Sequence, residues 1–198
     1  MTAFINLKKS LFYSFLLIAL FGFVACDNAP KKTDTEEVAE EQNEPDKDAT
    51  KESDERFLVR AAEMDMEDIQ LGQLAQQKGT HADVKAMGKM MEDEHKKNLN
   101  DLSALAARKG IAIPAAPTQD VQDALKKFGE KDAGMEFDKE YCNKMVSSHK
   151  AAIDWYEGAT VGNNDPEIKN WASSVLPGLR THLANAQACE EKLKDMKK

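Results

Sequence analysis

From residue 56 onward apolar side chains return every three or four positions, and no stretch alternates β-branched with polar residues between turns. That spacing predicts helices and no sheet. The first segment spans 57–78 and stops at Gly79, a residue suited to the left-handed position after a helix end. Thr80 is expected to cap the next segment, with Asp83 three residues on as in a capping box. That segment, 83–109, carries Val84, Met87, Met91, His95, Asn98, Leu102 and Leu105 on one stripe and closes at Gly110. Residues 111–118, with Pro114 and Pro117, predict a connection. A short helix follows at 121–131, and Gly134 separates it from a long one at 137–161, whose stripe is Phe137, Tyr141, Met145, His149, Ile153 and Tyr156. Asn164 or Asp165 then caps a last helix, 166–196, with Pro166 at its first position, where a missing N–H does no harm. Its inner face holds Ile168, Trp171, Val175, Leu179, His182 and Ala186. The pattern therefore predicts an all-α fold in which four long amphipathic helices form an antiparallel four-helix bundle.

Three of the four histidines, His95, His149 and His182, fall on these apolar stripes. The helices containing them centre on residues 96, 149 and 181, and the first helix centres between Glu67 and Asp68. Four polar positions of ligand type are thus expected at one depth, since an error of two residues displaces a side chain by only about 3 Å. Burying several imidazoles together is costly unless something pairs with them, and two readings stay open: a transition-metal ion, or a polar layer held by hydrogen bonds. Glu92 precedes His95 by three residues, the spacing with which a carboxylate and an imidazole meet one ion in di-metal helical bundles. His149 and His182 lack the same partner, because Val146 and Leu179 stand there, so half of a di-iron set is missing. Asp138 shares the face of His149 but lies about 16 Å away along the axis. Met91 and Met145 each precede a histidine by four residues, a pairing that suits copper, although such a Met is more often core filler. Pro177 inside the last helix predicts a bend ahead of His182.

The net charge of −8 is unevenly spread. Residues 27–55 hold twelve acids and four lysines, whereas 56–198 hold 23 acids and 21 bases. A near-neutral domain lacks the basic footprint that a phosphate backbone requires, which argues against nucleic acid as a partner. Residues 26–55 carry almost no aliphatic side chain and predict a disordered acidic tether with a span of roughly 30 Å. At the start, Lys8 and Lys9 precede an apolar run of 15 residues, 11–25, too short for a comfortable membrane span and followed at once by Cys26. The expected organisation is a signal at 1–25, the tether at 26–55 and a helical domain at 56–198. Ala25-Cys26 resembles the cleavage box of a bacterial lipoprotein signal, although Phe23 stands where Leu is usual. The resemblance implies lipidation of Cys26 and attachment to a membrane through it.

A second resemblance covers about 57–187. It rests on Asp68-Ile69-Gln70-Leu71-Gly72, Met91 with His95, Ala107-Arg108-Lys109-Gly110, Phe137-Asp138, Tyr141, Met145 with His149, and Leu176-Pro177 with His182. These residues resemble the bacterial predicted outer-membrane proteins that carry domain of unknown function 4142. The resemblance implies a ferritin-like four-helix domain, exported to the cell envelope and the outer membrane, and no established reaction. The chain departs from that pattern at Asp68, where Glu is usual, and at Glu94, where Asp is usual. Cys142 and Cys189 lie at similar distances from the turn near Asn164, so they reach similar depths and form either a disulfide or two buried thiols. No phosphate-cradling loop, nucleophile elbow or Cys-x-x-Cys pair is present, which leaves chemistry to the histidine level. The candidate ligands are His95, His149, His182, Asp68 and Glu92, with iron, copper or zinc as the ion. The competing reading is a metal-free structural or protein-interaction module with a polar core.

Overall fold

In the computed structural model the described residues are 47–162 and 164–196. They form five helices and no strand: α1 (Lys47–Lys78), α2 (Ala82–Lys109), α3 (Gln119–Gly129), α4 (Met135–Val161) and α5 (Pro166–Lys194). Among these residues no helix is long and apolar enough to cross a membrane. The leader, Cys26 and most of the expected tether lie outside the described residues.

The broadest helix contacts are within two hairpins, α1 with α2 and α4 with α5, and the hairpins meet through α1 against α4 and α2 against α5. The α1–α2 pair is drawn together by two glycines. A Cβ on Gly72 would lie 2.5 Å from the Gly88 carbonyl oxygen, and one on Gly88 would lie 2.7 Å from the Gly72 oxygen. At this crossing no larger residue fits while the backbones keep their separation.

Two apolar clusters fill the bundle, one above the other. One joins Leu58 and Ala62 of α1 to Leu102 of α2, Tyr156 of α4 and Ile168 of α5; the other joins Leu71, Met91, Tyr141 and Leu193 of the same helices. The order in which each helix passes through them gives its direction. α1 and α5 run from the first cluster to the second, and α2 and α4 run the opposite way. The chain between α2 and α4 must therefore return along the bundle. It does so through α3, which packs on α1 and places Leu125 in the second cluster. Lys78 Nζ anchors its end by donating to the carbonyls of Gly129 and Lys131.

Several helix ends match local chemistry. Gly110 takes the left-handed conformation (φ 67°) after α2, and Asp165 caps α5 by accepting from the Glu167 N–H at 2.8 Å, with Pro166 next. Two expectations are corrected. His81, not Thr80, caps α2, its Nδ1 accepting from the Asp83 N–H at 3.2 Å. Thr80 is occupied elsewhere: its N–H and hydroxyl, with the His81 N–H, donate to the fully buried carboxylate of Asp138 on α4. The first helix begins at Lys47, ahead of the expected residue 57, so the expected boundary between 55 and 56 falls within α1. The reason is tertiary. Asp54 is buried and accepts from the Asn164 side chain and the Asp165 N–H, both at 3.0 Å, which ties this turn of α1 to the start of α5. α5 runs through Pro177 as one helix.

Candidate metal centre

Between the two apolar clusters each long helix contributes polar residues at the same level: Asp65 and Asp68 from α1, His95 from α2, His149 from α4 and His182 from α5. All five are buried, and the three imidazole ring centres lie 5.2–5.5 Å apart. One ligand atom from each histidine can be chosen so that all lie within 4.8 Å of one another.

Each imidazole has one nitrogen committed to an acceptor. His95 Nδ1 is 2.7 Å from Asp65 Oδ1, His149 Nδ1 is 3.0 Å from the Met145 carbonyl oxygen, and His182 Nε2 is 2.8 Å from Glu94 Oε2. A carbonyl or carboxylate oxygen accepts only, so those three nitrogens carry the N–H. In the neutral rings the others, His95 Nε2, His149 Nε2 and His182 Nδ1, are then bare lone pairs. Two of them, on His149 and His182, face each other at 3.3 Å. Lone pairs that close repel unless a proton or a cation stands between them.

The surroundings are negative. Burial pushes the carboxyls of Asp65 and Asp68 above the ordinary carboxylate range. Burial opposes charge on His95, but its bond to Asp65 and the nearby Asp68 outweigh that and raise its pKa. Burial and the neighbouring His95 charge lower His149 to about 4 and also lower His182. The aspartates thus favour a proton on His95, and burial together with His95 disfavours one on His149 and His182. Two buried atoms here have no hydrogen-bond partner, His95 Nε2 and Asp68 Oδ1, and Asp68 Oδ2 stands 3.7 Å from that nitrogen. Each such atom costs about 1–3 kcal/mol.

These residues fit a transition-metal ion. A tetrahedral ion with metal–nitrogen bonds near 2.0–2.1 Å sets its ligand nitrogens about 3.4 Å apart, close to the observed 3.3 Å between His149 and His182. The remaining separations are wider, so the rings would close up on an ion. Asp68 is the nearby carboxylate that would complete such a set, and Asp65, the Met145 carbonyl and Glu94 hold the imidazoles as outer acceptors commonly do around metals.

Of the residues singled out from the sequence, His95, His149 and His182 lie close together, and Asp68 is buried beside His95 with its Oδ2 3.7 Å from His95 Nε2. Glu92 is corrected. It faces the α1–α2 seam, where it accepts from Gln73 at 2.9 Å, Gln76 at 2.6 Å and Lys96 at 2.5 Å, bonds that hold its carboxyl down at about 2. Met91 and Met145 are in the second apolar cluster, and Asp138 serves the α1–α2 turn. Cys142 and Cys189 form a disulfide between α4 and α5, with Cα atoms 6.0 Å apart. Two residues were missed. Asp65 shares a helix face with Asp68, one turn earlier, which was a usable signal. Glu94 adjoins His95 but reaches His182 on another helix, and no spacing in the chain announces that.

Fold and site together define an all-helical domain with a buried three-histidine, two-aspartate layer at its middle. The chain matches the family described as Domain of unknown function (DUF4142) over residues 39–189, and it belongs to that family. No curated protein and no solved structure matches it.

Proposed function

We propose that this chain is a lipid-anchored cell-envelope protein whose helical domain binds one transition-metal ion, with iron, copper and zinc as the candidates, at the centre of the bundle. The observation that carries the reading is the convergence of three buried imidazoles whose ligand atoms can lie within 4.8 Å of one another, with His95 Nε2 and the neighbouring Asp68 Oδ1 lacking any partner. His95, His149 and His182 hold the ion, and Asp68 completes the set. A bound ion would supply Lewis acidity or redox capacity, suited to storage, sensing or protection against oxidants. The parallel course of α2 and α4, with a crossover between them, supports a ferritin-like order of the four long helices. Lipidation at Cys26 and an outer-membrane location rest on the leader and on the resemblance described above. Fractionation tests them: a Cys26→Ser chain should leave the membrane fraction.

A second reading, a metal-free structural or protein-interaction module, is favoured by one fact: each imidazole already has an acceptor for one N–H. Elemental analysis of the chain after dialysis against iron, copper, zinc and manganese decides between them, beside a variant with all three centre histidines changed to Ala. One ion per chain, lost in the variant with helicity retained, supports the metal reading. No stoichiometric ion in any bath refutes it and leaves the polar core.

A further inference from the structure

The buried layer meets the outside along one wall. A groove of about 540 Å3 runs between α2 and α5, and its lining includes Glu94, His95 and Asp101 on one side and Trp171, Gly178 and His182 on the other. His182 is the partition. Its Nδ1 faces His149 inside at 3.3 Å, while its Nε2 meets Glu94 at 2.8 Å. The layer itself is buried, with His149 at 0%, His95 at 3%, Asp68 at 3% and His182 at 4% exposure, whereas the Glu94 side chain is 56% exposed. The two cations of the groove are already paired, Lys97 with Asp101 and Arg108 with Glu167. Among the described residues Glu94 has no Lys or Arg partner.

We propose that this groove is the route by which a divalent cation reaches the centre, and that Glu94 receives it there and passes it to His182. The inference rests on the metal reading above. An ion cannot cross the two apolar clusters without shedding its hydration for nothing in return. In the groove it keeps water until it meets Glu94, whose one oxygen holds His182 and whose other can replace a water ligand. His182 is the next ligand along that path, and its ring has to turn from Glu94 to bring the Nδ1 lone pair to the ion.

The test is stopped-flow uptake of Zn2+ by the full chain, and release to an added chelator, with equilibrium affinity measured alongside. Gly178→Phe fills the groove from its α5 wall, where an added Cβ meets nothing within 4 Å. Stoichiometry and affinity should stay at the wild-type level while uptake and release slow together. Glu94→Gln should slow uptake by about tenfold or more, the scale on which a focusing charge acts. A residue that only orients His182 would weaken binding through faster release at unchanged uptake. That result for Glu94→Gln overturns its receiving role, and wild-type uptake in Gly178→Phe overturns the route. A wild-type chain that takes up no ion removes the metal reading and this inference together. A wild-type chain that loads while both variants load at its rate removes only this one.

Discussion

Asp65 and Glu94 sit on different helices, yet each takes the N–H of an imidazole and so decides which nitrogen of His95 and of His182 is left to face the centre. Asp65→Asn can present an amide N–H in place of an acceptor, which would turn His95 away from the centre. Metal affinity should fall about 10–100-fold while the helices persist, read by competition with a chelating dye. Wild-type affinity in that variant would mean that His95 is oriented by something else. Glu92 carries a different prediction, since its carboxyl is held at about 2 instead of the usual 4.5 by Lys96, Gln73 and Gln76. A carboxylate with a lowered folded pKa contributes stability that is present in full above its unfolded pKa and is lost as the pH falls toward the folded one. Glu92→Gln should therefore be less stable than wild type at neutral pH. The gap should shrink between about pH 4.5 and pH 2, with no change in metal stoichiometry. Urea melts across that range are the check.

At the level of the helices, the close pairing of α1 with α2 sets the reach of Asp65 and Asp68 toward His95. Gly88→Ala would bring a Cβ to 2.7 Å from both the Gly72 oxygen and the Ala75 Cβ, and backbone has to give way. A loss of about 1–3 kcal/mol is expected, measured by chemical denaturation. An unchanged midpoint would show that the two helices separate freely. Helix ends such as Gly110 and Asp165-Pro166 were readable in advance because the residues that make them are adjacent in the chain. The start of α2 was not, because Asp138, 58 residues from Thr80, claims the threonine and leaves capping to His81. The early start of α1 has the same origin, in the bonds of Asp54 to Asn164 and Asp165.

Across the whole molecule, two apolar clusters enclose one polar layer, and the disulfide Cys142–Cys189 crosses the second cluster between α4 and α5. It closes a span of 47 residues, so reduction should cost about 2–4 kcal/mol of stability. A Cys26→Ser chain should show no free thiol before reduction and two after it, since the sequence has three cysteines. Two thiols in the unreduced sample would mean that the cysteines are separate.

The sequence by itself determined the helices, the turns between most of them and the shared depth of His95, His149 and His182. Those features follow from the periodicity of one helix at a time, and a rise of about 1.5 Å per residue carries mid-helix positions to a common level. Only the tertiary structure decided that Glu92 belongs to the α1–α2 seam, that Asp65 and Glu94 hold two of the rings, and which ring nitrogens face the centre. Azimuth around a helix is known from spacing to within a residue's turn. Which of two neighbouring carboxylates meets a side chain on another helix depends on how closely and at what angle those helices cross, and in this chain two glycines 16 residues apart set that crossing.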